Sequence, residues 1–151
     1  MILWNRILVG LDESEPSLNA LRYLAGVLGG SNTSKVRLLA VYLPPDPDSH
    51  PDPGQRADLA AERRLALEAR LAQAYHMLVE ARLARENLST DLVEAGGRTV
   101  GQVIMDYQAE GGYGTVVVGR RRLSKAEEFL FGSVSSTVVH TATDCCVWVV
   151  A

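Results

Sequence analysis

A chain of 151 residues with 47% hydrophobic and 22% charged residues is long enough to bury one core, too short for two, and far from a disordered or collagen-like composition. Its net charge of -3 supplies no chain-wide attraction to a nucleic-acid backbone or an anionic lipid surface, so neither is expected as a partner. The opening MILWNRILVG is apolar but interrupted by Asn5 and Arg6, with no small-residue cleavage site after it and no stretch of membrane-spanning length anywhere, so the expected compartment is the cytoplasm.

Arg6 to Leu11 is a short β-rich apolar run ending in Asp12, which predicts a buried strand. Ser14 then precedes Glu15 and Pro16, and Leu18, Leu21, Leu24, Ala25 and Leu28 recur at helical spacing up to Gly29 and Gly30, the pattern of a capped, glycine-terminated helix. Lys35 to Leu43 predicts a second strand, stopped by Pro44 and Pro45. The segment 44–58 holds five of the six prolines and is expected to be an exposed, flexible loop. From Leu59 to about Asn87 the composition predicts a long helix with Leu67, Leu71, Ala74, Leu78 and Ala81 along one stripe and solvated charge opposite.

Ser89 to Ala95 predicts another strand, and Thr99 to Glu110 a helix whose core face offers Val100, Val103, Ile104 and Tyr107. Thr115 to Val118 is the most apolar β-branched run and should be a central strand covered on both faces, closed by Gly119. After a loop with Arg120, Arg121 and Arg122, a last helix opens at Gly132-Ser133, and Cys146 to Val150 is the final strand. Alternating strands and helices specify one α/β domain over 1–151, a mostly parallel sheet with helices on both faces. The adjacent Cys145 and Cys146 should point to opposite faces, one buried thiol and one packing thiol, and they lack the partners a zinc site needs. His50, His76 and His140 share no spacing and are expected to be structural or exposed, and Trp4 and Trp148 to flank outer strands.

Ligands of such sheets sit beyond the carboxyl ends of the strands, where successive connections leave toward opposite faces. Two strand ends carry suitable chemistry. Gly10-Leu11-Asp12 brings a carboxylate able to accept from ribose hydroxyls or an adenine amino group, although the same acid in an Asp-Glu-Ser-Glu turn can equally cap the helix that follows. Gly119 and the Gly132-Ser133 turn bring glycines that let a backbone come close and a helix start that suits phosphate, with Ser133, Ser135 and Ser136 as hydroxyl donors that also serve as ordinary caps.

On these residues the chain resembles the universal stress protein family over nearly its whole length: ILVGLDESEPS resembles the first strand and its acid, LLAVYLP the second strand, and GRRRLSKAEEFLFGSVSSTVVHTATDCCVWVV the C-terminal signature. The ATP-binding members carry Gly, two residues, Gly, nine residues, then Gly-Ser or Gly-Thr. Gly119 and Gly132-Ser133 match in register, and Arg122 replaces the second glycine. The resemblance implies a five-stranded, Rossmann-like sheet of the adenine nucleotide alpha hydrolase type and homodimers paired through the last strand around Val147 to Val150. It further implies that Asp12 and Val41 meet the base and ribose of ATP or another adenine nucleotide, with or without Mg2+. Gly119 would lie against ribose and phosphates, Gly132, Ser133 and Val134 would hold phosphate, and Leu11 and Val118 would line the same pocket.

Arg122 pulls both ways. If its position needs a left-handed backbone, a Cβ costs about 1–2 kcal/mol, whereas a guanidinium facing phosphate contributes roughly 1.5–3 kcal/mol. Sequence alone leaves the sign open. The function the resemblance implies is an adenine-nucleotide-binding stress-response regulator acting through dimer or partner contacts. The alternatives are an interaction module that has lost its nucleotide and a slow ATPase, the latter lacking a Walker lysine motif and a placed general base. A phospho-receiver would want clustered acids, for which Asp12-Glu13 is the single candidate pair.

Overall fold

The computed structural model describes residues 1–120 and 133–151. In chain order the elements are β1 (Arg6–Leu11), α1 (Glu15–Leu28), β2 (Lys35–Tyr42), α2 (Pro53–Glu80), a 3-10 turn (Arg85–Asn87), β3 (Leu88–Glu94), α3 (Val100–Gly111), β4 (Thr115–Gly119), α4 (Val134–Thr141) and β5 (Cys146–Val150). All five strands are parallel, in the order β3-β2-β1-β4-β5. Gly10 lies opposite Leu39 on one side and Val118 on the other, so the ends of β1, β2 and β4 reach the same edge in register.

Because successive strand residues face opposite ways, the sheet divides its apolar side chains between two cores. Val9, Leu38 and Val117 pack with Leu21 and Leu24 of α1 and Leu71 and Leu78 of α2. Leu8, Leu39, Val116 and Val118 pack with Val103 and Ile104 of α3 and Val138 of α4. Leu8, Leu21, Leu24, Leu38, Leu39 and Leu78 are fully buried, each worth roughly 1.5–3 kcal/mol against solvent exposure. No helix among the described residues is long and apolar enough to cross a membrane.

The long helix differs from the sequence reading at both ends. It starts at Pro53, so residues 53–58 of the proline-rich segment are helical. Asp52 is the cap, its side chain accepting from the Gln55 amide at 2.8 Å, and Pro53 at the first helical position forgoes only an amide that the helix leaves unpaired in any case. The helix stops at Glu80 because Arg82 turns left-handed, with φ of 66°. The amides of Arg82 and Leu83 then close on the carbonyls of Val79 and Leu78 at 3.0 and 3.1 Å, with Leu83 buried beside Leu78. That is a Schellman ending built without glycine.

A polar bridge fastens α3 to the β2–β3 edge. Asp91 of β3 accepts from Arg37 of β2 at 2.5 Å and from the Tyr107 hydroxyl of α3 at 2.8 Å. Burial first, and then the hydrogen bond to Asp91 and its charge, push the Tyr107 hydroxyl up to about 12. A tyrosine whose folded value lies above its ordinary 10 contributes stability that is complete below pH 10 and lost as the pH rises toward 12. Denaturant titrations should therefore show a loss of stability across that window that Tyr107→Phe lacks. Equal pH slopes in both proteins would refute the assignment.

Candidate functional site

The turn after β1 is organised by its own side chains. The Asp12 carboxylate accepts from the Ser14 amide at 2.8 Å and from the Ser14 hydroxyl, while the Asp12 amide donates to the Ser17 hydroxyl at 3.1 Å. Ser14, not Asp12, is the cap of α1: its hydroxyl accepts from the Ser17 amide, weakly, at 3.4 Å. Asp12 thus shapes the turn one step upstream of the cap and stands half-buried at the strand end.

At the other wall Ser133 caps α4, accepting from the Ser136 amide at 2.9 Å and sharing a hydroxyl contact with Ser135 at 2.9 Å. The first amides of a helix have no partner within it and carry its positive end. Between the walls lies a solvent-open hollow of about 610 Å³, lined by Gly10, Leu11, Asp12, Ser14, Ser17, Leu39, Val41, Val100, Ile104, Val118, Gly119, Ser133, Val134 and Ser135. It sits beyond the carboxyl ends of β1 and β4, where the connection to β2 leaves one way and that to β5 the other.

The structure brings Gly10, Leu11, Asp12, Val41, Val118, Gly119, Ser133 and Val134 to this one hollow. Arg122 and Gly132 lie outside the described residues. Ser14, Ser17, Leu39, Val100, Ile104 and Ser135 complete the lining. The sequence reading treats Val100 and Ile104 as core and Ser14 as a cap, which they also are, and Ser17 carries no signal beyond a buried position in the first turn of α1. Ser136 is exposed and absent from the lining.

Gly119 also has a packing role. A Cβ there would meet the carbonyl of Pro16 at 2.5 Å and the amide nitrogen of Ser17 at 2.7 Å, so its bare Cα seats the first turn of α1. A Cβ on Gly10 would meet side chains and no backbone: the end of Ile104 at 2.7 Å and a methyl of Val118 at 3.3 Å.

A family model described as the universal stress protein family matches residues 4–151. The chain belongs to the universal stress protein family. Among solved structures this member is similar to the universal stress protein UspA of Lactobacillus plantarum, at 20% identity over 98% of each chain with a TM-score of 0.73. It is also similar to a universal stress protein of Archaeoglobus fulgidus in complex with dAMP, at 20% identity over 100% of each chain and a TM-score of 0.63. A third is an Arabidopsis thaliana family protein with AMP bound, at 16% identity over 96% of this chain and 90% of that one, with a TM-score of 0.67. No curated protein matches the sequence significantly.

Other expected features of this universal stress protein fall away from the hollow. Arg120 is exposed and its amide donates to Val150 at 2.7 Å, closing the end of the β4–β5 pair. His76 and His140 are exposed, and the His140 Nδ1 donates to the Ser136 carbonyl at 2.7 Å. Cys145 and Cys146 are both half-buried, so neither is the buried thiol expected, and burial raises the Cys145 thiol above its ordinary value. Trp148 is on the outer strand β5, edge-on to Tyr23 of α1 with ring centroids 6.0 Å apart, but Trp4 precedes β1, the middle strand.

Proposed function

We propose that this universal stress protein binds an adenine nucleotide in the hollow between β1 and β4, and that occupancy alters how the protein pairs with a second copy. One observation carries the reading: a carboxylate turn from the beginning of the chain and a helix start from its end form opposite walls of one cleft with an apolar floor. Leu39, Val41, Val118 and Ile104 offer a surface for a purine face, Asp12 an acceptor for ribose hydroxyls or the exocyclic amine, and Ser133 to Ser135 donors for phosphate. The AMP and dAMP complexes of two relatives of the same fold support the choice of base.

Among the described residues no group of His, Cys, Asp and Glu is arranged to hold a metal ion, and Asp12 is the one carboxylate in the lining. Mg2+ would therefore come with the phosphates of a longer nucleotide. Pairing through β5 is favoured by its outer position and by exposed apolar side chains at Val149 and at Tyr23, which continues the Trp148 contact. The cytoplasm is the proposed compartment.

Native mass spectrometry of freshly purified protein should report a dimer that retains an adenine nucleotide. Calorimetry with AMP, ADP and ATP on the wild type and on Arg122→Gly then assigns the phosphate preference to that arginine. Absence of binding by both proteins would sink the nucleotide reading, and phosphate release lost in Asp12→Ala would replace it with an enzymatic one.

A further inference from the structure

We infer that Arg70 of α2 is a positioning residue for the cleft, holding the turn that aims Asp12. Its guanidinium donates from Nη1 to the Ser14 carbonyl at 2.9 Å and from Nη2 to the Glu13 carbonyl at 3.0 Å. Arg70 does not line the hollow, so any influence on a ligand runs through this turn. The inference rests on the nucleotide reading for its functional half and on geometry alone for its structural half.

Three observations set Arg70 apart from the other charges on α2. Its two bonds reach consecutive carbonyls far away in sequence, a match for the planar fork that an ammonium cannot reproduce. The stem rises next to Leu71, which is buried in the core under α2, so the fork is based on a rigid element. The cation also stands at the start of α1, where the helix dipole favours an anion. Stability of α1 by itself therefore does not account for it.

The chain of contacts is short. Arg70 holds the carbonyls of Glu13 and Ser14, the Ser14 amide and hydroxyl bind the Asp12 carboxylate, and the Ser17 hydroxyl holds the Asp12 amide. Freed from Arg70, the turn loses the tie that fixes it against α2, and its local hydrogen bonds open more often. Asp12 would then meet the nucleotide from a wider range of orientations, and binding would pay for ordering it.

The test is a double-mutant cycle on the full-length protein with AMP as the probe. Arg70→Ala should weaken AMP binding about tenfold, the size of one charge-assisted hydrogen bond, with Arg70→Lys nearly as weak because it restores charge without the fork. In an Asp12→Ala background the same Arg70→Ala change should cost nothing further. Unchanged affinity in Arg70→Ala, or an equal loss in both backgrounds, would overturn the inference, the second result marking a purely structural residue. Should the wild type bind no adenine nucleotide, hydrogen exchange decides: faster exchange at the Ser14 and Ser17 amides in Arg70→Lys upholds the positioning role, and unchanged exchange ends it.

Discussion

Gly119→Ala should lower stability by roughly 3 kcal/mol, the upper end for overpacking, because the added methyl meets backbone and not a movable side chain. For a chain of this length that corresponds to a fall in melting temperature of about 6–12 °C. The carbonyl of Pro16 and the amide of Ser17 belong to the first turn of α1, which is held above by the Ser14 cap and below by Leu18 and Leu21 in the core. Relief requires moving the helix start, and with it the Asp12 turn, so AMP affinity should fall together with stability. Gly10→Ala is the contrast. Its new methyl presses on the end of Ile104, which borders the hollow, and more lightly on a methyl of Val118, and the expected cost is about 1 kcal/mol. Thermal denaturation of the two variants checks the order; equal melting temperatures would mean that α1 yields more easily than its contacts indicate.

The same glycine shows where the sequence was readable. The run that ends at Gly119 marks a strand by itself, and Cys146–Val150 and Arg6–Leu11 fall on their expected bounds, since strand character is written in consecutive residues. The meeting of Asp12 with Ser133 follows from topology, because parallel strands present the same ends to the same edge. What a residue touches across the fold is a different matter. Gly119 fits a phosphate-approach pattern in the sequence, yet its nearest demand comes from Pro16, a neighbour only after folding.

Arg70 belongs to the helix face that composition marks as solvated, and its target carbonyls carry no side-chain signature at all. The ends of α2 were hidden for a related reason. Pro53 has the same local appearance as a loop proline until Asp52 is seen to cap it, and Arg82 occupies a left-handed site where glycine would have signalled the stop.

Val41→Phe should reduce AMP affinity by about a hundredfold, a loss near 2.7 kcal/mol, while changing the melting temperature little. Val41 is 8% exposed and its side chain borders the hollow between β2 and the α3 side of the sheet, so the larger ring has empty space to enter. Val117→Phe is the control for size. Val117 is fully buried on the opposite face beneath α1, outside the lining of the hollow, and there the same enlargement should cost about 1–3 kcal/mol of stability. The pair separates occupancy of the cleft from damage to the core, since one variant should lose ligand and keep its fold while the other loses stability first. A folded Val41→Phe protein that binds AMP as tightly as the wild type would move the ligand elsewhere. The carboxylate turn and the serine-capped helix start would then be two walls around a space with another use.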